Sequence, residues 1–205
     1  MQIKICGITN IEDAMLCSNL GADALGFIFY EKSKRFISYD KAREIIQRLP
    51  PFILKIGVFV DEDFTKVNSA ATHIGLNAVQ LHGNETPKYI DNISLPVIKS
   101  FRIDDNFDWT RIDEFRNCRI LLDAFSPNEM GGTGNKFNWN FIPQKLKSKI
   151  ILSGGVSVEN LETVFNEVNP AAIDISSSIE SEPGKKDHKK VKELFVKFNQ
   201  LNSHK

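Results

Sequence analysis

The sequence has little cysteine, no charge imbalance and no long apolar run, and each shortage removes a class of protein. Its three cysteines, Cys6, Cys17 and Cys118, stand far apart with no CxxC spacing. Neither a disulfide framework nor a cysteine zinc site is indicated, and a reducing compartment fits. Lys+Arg and Asp+Glu number 26 each, for a formal net charge of zero. A general nucleic-acid binder carries a basic excess that this chain lacks, although a local anion site is compatible with the balance. No stretch approaches the roughly 18 apolar residues of a membrane span. The first residues read as a strand, not as a signal or transit peptide. The expectation is a cytoplasmic protein bound neither to nucleic acid nor to a membrane. A GxGxxG turn after the first strand, the fingerprint of a dinucleotide-binding sheet, is also missing. His73, His188 and His204 lack neighbours that suggest metal ligation, and no metal site is expected.

What is present is a regular alternation. Hydrophobic residues make up 41% of the 205, enough for a substantial core. Strands are expected over residues 2–6, 24–29, 54–60, 78–81, 96–101, 119–124, 150–152 and 172–175. Helical segments are expected over 10–20, 39–48, 62–73, 87–92, 109–116, 139–146, 158–168 and 187–201, with 202–205 a frayed tail. Asn10 is placed to cap the first helix and Gly21 to end it, and Pro50-Pro51 stops the second. The strands read as continuous apolar runs more than as clean alternation, the pattern of a parallel sheet covered by helices. Eight such units predict an α/β fold, a single-domain (β/α)8 TIM barrel over residues 1–205, near the lower end of the barrel's size range. The competitor, an open doubly wound sheet, has no need of eight regular units.

In a barrel the site lies at the C-terminal ends of the strands. The residues found there are Cys6, Arg35, Asp61, His82, Arg102, Asp123, Ser153-Gly154-Gly155 and Ser176-Ser177-Ser178. A cysteine is most often a small buried hydrophobe, and that is the reading for Cys17 and Cys118. Cys6 differs: it ends a strand ahead of Gly7, where a soft nucleophile or base faces whatever binds. Asp123 follows Ile120-Leu121-Leu122, and a carboxylate against a buried strand is costly unless paired or protonated. It reads as a structural cap on the next loop or as a general acid kept protonated by burial. Gly154 and Gly155, with Ser176, Ser177 and Ser178, form bare turns after the seventh and eighth strands. Such turns are the recurring phosphate site of barrels; otherwise they are ordinary tight turns. Gly131-Gly132-Thr133-Gly134 lies in the longest loop, residues 125–136, and reads as a lid or as surface slack. Arg35 has the planar fork to clamp an anion, whereas Lys32 and Lys34 read as a solvated loop. His82 either lines the pocket or simply packs.

Several barrel chemistries stay open on these residues. An indole-glycerol-phosphate synthase would want lysines and glutamates at strand ends, and Lys55 and Lys99 lie within strands. A ribulose-phosphate epimerase would want a metal or paired aspartates. A phosphosugar-binding protein without activity would have no reason to carry both Cys6 and Asp123.

Over essentially its whole length the chain resembles the phosphoribosylanthranilate isomerases of tryptophan biosynthesis. The motifs are Lys4-Ile5-Cys6-Gly7-Ile8-Thr9, Gly21-Ala22-Asp23-Ala24 with Gly26-Phe27, Ser33-Lys34-Arg35, Gly57-Val58-Phe59-Val60 and Val79-Gln80-Leu81-His82-Gly83. Further on come Leu121-Leu122-Asp123, Gly131-Gly132-Thr133-Gly134, Leu152-Ser153-Gly154-Gly155, Asp174-Ile175-Ser176-Ser177 and Pro183-Gly184-Lys185-Lys186-Asp187. The resemblance implies a cofactor-free Amadori rearrangement of N-(5-phosphoribosyl)anthranilate, a small phosphosugar, to 1-(2-carboxyphenylamino)-1-deoxyribulose 5-phosphate. It implies that Cys6 is the base at C2′, Asp123 the acid at the ribose ring oxygen, and Arg35 the partner of the anthranilate carboxylate. It places the phosphate on the turns after strands seven and eight. An ordinary thiol is mostly protonated at neutral pH, so a positive or dipolar neighbour that lowers the Cys6 thiol is expected. Two places depart from the family pattern: Ser178 replaces the usual glycine, and Asn135-Lys136-Phe137-Asn138-Trp139 replaces the common Lys-Thr-Phe-Asp-Trp. No pathway partner, fused or channelling, follows from the sequence.

Overall fold

Strands carry the molecule: β1 (Gln2–Cys6), β2 (Ala24–Ile28), β3 (Leu54–Phe59), β4 (Ala78–Leu81), β5 (Val97–Ile103), β6 (Arg119–Ala124), β7 (Ile151–Leu152) and β8 (Ala172–Ile175). Each pairs in parallel with the next, and β8 returns to β1, so the sheet closes into a barrel. The computed structural model describes residues 1–104, 106–124 and 139–203. The (β/α)8 barrel expected from the strand count is the fold observed.

Strand parity explains the barrel's contents. Side chains two residues apart share a face. Inside the barrel, Ala24, Ile56, Ile98 and Leu121 pack with Ala78 and Ile151 into an apolar floor. Two residues further along the same strands stand Gly26, Val58, Gln80, Ser100, Asp123 and Ser153. The layer above the floor is thus largely polar, and it opens upward. Opposite parity faces outward: Ile3, Ile5, Leu25, Phe27, Val79, Leu81, Leu122 and Ile173 are fully or almost fully buried beneath the helices.

The helices are α1 (Ile11–Asn19), α2 (Tyr39–Ile46), α3 (Phe64–Ile74), α4 (Pro87–Ile90), α5 (Gln144–Lys147), α6 (Leu161–Thr163) and α7 (His188–Ser203). Asn10 caps α1 by accepting from the Asp13 N–H at 2.8 Å, and Gly21, at φ 101°, follows its end. α7 inserts Val191, Leu194, Phe195 and Phe198 into the outer core.

Several expected helices take other forms. The segment after β5 is a single 3-10 stretch, Trp109–Glu114, started by Asp108 accepting from the Thr110 N–H. The one after β6 divides into a 3-10 turn, Trp139–Phe141, and α5, because Pro143 stands between them. The one after β7 runs from a 3-10 turn (Val158–Asn160) through α6 into a π turn (Val164–Val168), and left-handed Asn169 ends it. α7 reaches Ser203, past the expected helix end at 201, and the Met1 ammonium donates to the Asn202 side-chain oxygen; residues 204 and 205 lie outside the described residues. A small antiparallel hairpin, β9 (Glu180–Glu182) with β10 (Lys185–Lys186), was not foreseen. Gly184, at φ 85°, turns it.

Candidate active site

The C-terminal ends of the strands surround a cavity of about 210 Å³. Cys6, Arg35, His82, Asp123, Gly154, Gly155, Ser176, Ser177 and Ser178 all line it. Of the other strand-end residues singled out in the sequence, Arg102 and Ser153 line it too, whereas Asp61 does not: its carboxylate accepts from the Asn84 N–H at 2.6 Å and it lines a neighbouring cavity. Gly131, Gly132, Thr133 and Gly134 lie outside the described residues, as does Asn135.

Cys6 ends β1 opposite Gly26 of β2. A Cβ on Gly26 would come within 2.7 Å of the Cys6 sulfur and 3.0 Å of Lys4 Nζ, so thiol and ammonium lie side by side over a bare backbone. Lys4 has the same parity as Cys6 and reaches the same interior, where it pairs with Asp174 of β8 at 2.8 Å. Burial alone would push the Lys4 ammonium down; the Asp174 charge and the Cys6 side chain outweigh it, and Lys4 stays charged above its ordinary value. Burial pushes the Cys6 thiol up, and the charge and hydrogen bond of Lys4 oppose that rise. The positive neighbour of Cys6 is thus Lys4, aided by Lys186, but the expected lowering is not reached: burial outweighs both charges and the thiol stays above its ordinary value. Cys17 lacks the Lys4 partner: it is fully buried, the Lys186 charge does not offset that burial, and its thiol is pushed up to about 12.

Lys186, from β10, lies beneath this corner with no exposed side-chain surface. Its Nζ donates to the Cys6 carbonyl at 2.6 Å, to the Ser176 carbonyl at 3.3 Å and to Glu180 at 2.9 Å. Glu180 also accepts from Arg35, whose Nε lies 3.0 Å from both carboxylate oxygens and whose Nη2 lies 2.7 Å from one. The Nε edge of the Arg35 fork is therefore engaged by the protein itself. Gly7, at φ 77°, leaves the space this requires: a Cβ there would meet Arg35 Cδ at 2.8 Å.

Asp123 is 3% exposed at the end of β6. It stands beside Arg102 of β5 and faces His82, whose Nε2 is 3.3 Å from Asp123 Oδ2. At that distance the two are not aligned as a hydrogen bond. On the far side of the ring, His82 Nδ1 is 3.2 Å from Gln80 Nε2.

Between these two corners lie the turns after β7 and β8. Gly154 and Gly155 are both left-handed, at φ 71° and 74°, where other residues are strained. The Asn160 side chain binds this turn at both ends, donating to the Gly155 carbonyl at 2.6 Å and accepting from the Ser157 N–H at 3.0 Å. Ser178 donates to the Val156 carbonyl at 2.8 Å, so its hydroxyl ties the two turns together. Ser176 donates to the Cys6 carbonyl at 3.1 Å.

Sequence reasoning gave no role to Lys4, Gln80, Asp174, Glu180 or Lys186. A signal existed for the strand residues. Lys4 and Gln80 each precede a singled-out residue by two, and Asp174 precedes Ser176 by two, so parity sends them to the same face. A charge inside an apolar strand also demands a partner. Glu180 and Lys186 belong to the unforeseen hairpin and carried no such signal. Among the described residues no group of three or more His, Cys, Asp or Glu could hold a metal ion.

A closed barrel with a side-chain-lined cavity at its C-terminal strand ends defines a (β/α)8 barrel enzyme. The family model for N-(5′-phosphoribosyl)anthranilate (PRA) isomerase matches residues 3–197. An N-(5′-phosphoribosyl)anthranilate isomerase of Thermotoga neapolitana is 45% identical, covering 98% of this chain and all of its own. The crystal structure of phosphoribosyl anthranilate isomerase from Thermotoga maritima superposes with a TM-score of 0.89 at 41% identity, covering 98% of each chain. A further isomerase structure, in complex with reduced 1-(o-carboxyphenylamino)-1-deoxyribulose 5-phosphate, has a TM-score of 0.87 at 40% identity and covers 98% of this chain and 99% of its own. The chain belongs to the phosphoribosylanthranilate isomerase family.

Proposed function

We infer that this chain converts N-(5′-phosphoribosyl)anthranilate to 1-(2-carboxyphenylamino)-1-deoxyribulose 5-phosphate, an isomerisation of tryptophan biosynthesis. The observation that carries the assignment of roles is that Cys6 and Asp123, from β1 and β6, line one cavity with the two bare turns between them.

Asp123 gives a proton to the ribose ring oxygen as the C1′–O bond breaks and its electron pair goes to oxygen. The aniline nitrogen supplies the electrons that leave C1′ as an iminium. Cys6 takes the proton from C2′, and the C–H pair becomes the C1′=C2′ bond while the nitrogen is neutralised. The enaminol then gains a proton at C1′ and loses one from the 2′-hydroxyl, giving the ketone. A thiol made reluctant by burial suits this order. The iminium places a positive charge near the sulfur as ring opening proceeds, and an opposite charge favours the thiolate. Lys4 lends the same support beforehand.

The phosphate rests on the backbone of Gly154 and Gly155 and of the Ser176, Ser177 and Ser178 turn. The anthranilate carboxylate meets Arg35, whose Nε and Nη2 Glu180 also holds in place. His82 stands against the acid. The enzyme works in the cytoplasm in this reading; no helix among the described residues is long and apolar enough to cross a membrane.

The direct test is to mix purified protein with the fluorescent substrate and follow its disappearance. Decay no faster than in buffer would end the reading. Asp123→Asn keeps the shape without a transferable proton, and kcat should fall by at least about a hundredfold. A smaller loss would remove Asp123 from the acid's role.

A further inference from the structure

Gln80 is 1% exposed within β4, in the polar layer of the barrel, and it lines the cavity. A buried primary amide there needs a reason, because each unpartnered polar atom costs desolvation energy. Its Nε2 lies 3.2 Å from His82 Nδ1, while its Oε1 is buried with no hydrogen-bond partner. Across the ring, His82 Nε2 stands 3.3 Å from Asp123 Oδ2. The three side chains form a line that ends on the proposed acid, and the inference rests on that role for Asp123.

We propose that Gln80 is a positioning residue that holds His82 as the Nε2–H tautomer, so that the ring donates to Asp123 Oδ2 and the transferable proton of Asp123 sits on Oδ1. An amide N–H that donates to Nδ1 makes Nδ1 an acceptor, and a neutral imidazole then carries its proton on Nε2. The opposite orientation of the amide would turn a lone pair of Nε2 toward the carboxylate that remains after proton transfer. It would also leave the amide NH2 without an acceptor instead of leaving a carbonyl oxygen. Under-satisfied carbonyls are the commoner of the two in folded proteins.

The arrangement acts on the chemical step. When Asp123 gives up its proton, negative charge develops on a buried carboxylate. A donor already aimed at Oδ2 binds that carboxylate more strongly than it binds the acid, so its help grows toward the transition state. The contact is 3.3 Å and not aligned as a hydrogen bond; catalytic hydrogen bonds often tighten only in the Michaelis or transition-state complex. The amide never touches the reacting atoms. Its loss should therefore appear in kcat and not in KM.

The deciding experiment is nitrogen NMR of protein labelled in its histidines, with the His82 signals identified by their loss in His82→Asn. Wild-type His82 should show the neutral Nε2–H pattern. In Gln80→Glu the new carboxylate accepts from Nδ1, so the signals should move to an Nδ1–H or doubly protonated ring. In the same variant kcat should fall at least tenfold with KM within threefold of wild type. Gln80→Leu, which neither donates nor accepts, should show mixed tautomers and a smaller loss of kcat. An Nδ1–H ring in the wild type would overturn the proposal without recourse to any variant. So would a Gln80→Glu enzyme with kcat within twofold of wild type. Failure of the acid itself is told apart by Asp123→Asn: an active Asp123→Asn enzyme removes the role on which the line depends, whatever the tautomer.

Discussion

At the scale of single residues, the chemistry turns on how a buried thiol is kept usable. Cys6 and Cys17 are both buried, and burial raises both thiols. They differ in company: Cys6 has Lys4 beside it, over Gly26, whereas Cys17 has no Lys4 and feels the opposed charges of Lys186 and Asp13. Cys6→Ala should remove nearly all turnover, yet leave the fold and the binding of a product analogue intact, since only a small strand-end group is lost. Activity within threefold of wild type would sink the base assignment. Cys17→Ala should cost stability and little rate, because it opens a small void in the outer core. Lys4 supplies a sharper test. Removing its ammonium takes away the main charge favouring the thiolate, so the Cys6 thiol should titrate higher still. The rate of its alkylation should then rise only at more alkaline pH in Lys4→Met than in wild type. Combining the change with Asp174→Asn avoids leaving a buried carboxylate unpaired. Because the Asp174 charge itself raises the thiol, the upward shift should be smaller in the double variant than in Lys4→Met alone. Unchanged alkylation profiles would mean that Lys4 serves the fold and not the sulfur.

At the scale of elements, the phosphate reading depends on two turns and not on any one charge. Gly154 and Gly155 hold left-handed conformations that the Asn160 side chain locks from behind. A side chain at position 155 would be strained and would stand between the backbone and an approaching phosphate. Gly155→Val should therefore raise KM more than tenfold with a smaller effect on kcat, and inorganic phosphate should compete weakly with substrate in the wild type. An unchanged KM would place the phosphate elsewhere. The turns were legible because bare residues at the ends of the last two strands stand out against apolar runs. The barrel was legible for the same reason, through eight apolar runs separated by capped helices. The finer shape of the helices was not. Pro143 breaks one, and Asp108 starts a 3-10 turn that local bonds favour over an α-helix. The hairpin β9–β10 stayed hidden because its strands, Glu180–Glu182 and Lys185–Lys186, are charged and short. Their meaning lies in pairing with residues far away in sequence. Lys186 looks like one more surface lysine until the fold carries it under the Cys6 carbonyl.

At the scale of the whole molecule, that hairpin joins the site to the stability of the fold. Glu180 bridges Arg35, from the loop after β2, to Lys186, which in turn holds the ends of β1 and β8. Arg35 thus has two duties. Arg35→Lys cannot keep the paired bonds to Glu180 or offer a fork to a carboxylate. A charge-assisted bond is worth roughly 1.5–3 kcal/mol, so kcat/KM should fall about ten- to a hundredfold, mainly through KM. A substrate analogue without the carboxylate supplies the control: wild type should bind it poorly, and Arg35→Ala should bind it little worse. Equal discrimination against the analogue by both proteins would show that Arg35 serves Glu180 alone. The structural duty has its own signature in acid. Burial alone would raise the Glu180 carboxyl; the Arg35 hydrogen bond and the Lys186 charge outweigh it, and the group titrates below the ordinary glutamate range. In the unfolded chain a glutamate titrates near about 4.3. As pH falls the unfolded state therefore takes up the proton first. The stabilisation is complete above that value and is lost as pH drops through the lower folded value. Glu180→Gln lacks it at every pH, and it takes the counter-charge from the buried Lys186, a loss of about 3–5 kcal/mol by analogy with broken buried pairs. Melting temperatures of the two proteins should thus lie furthest apart near neutrality and converge as the pH falls below about 4.3. A gap that stays constant down to the acid limit would mean that Glu180 holds the hairpin by its shape and not by its charge.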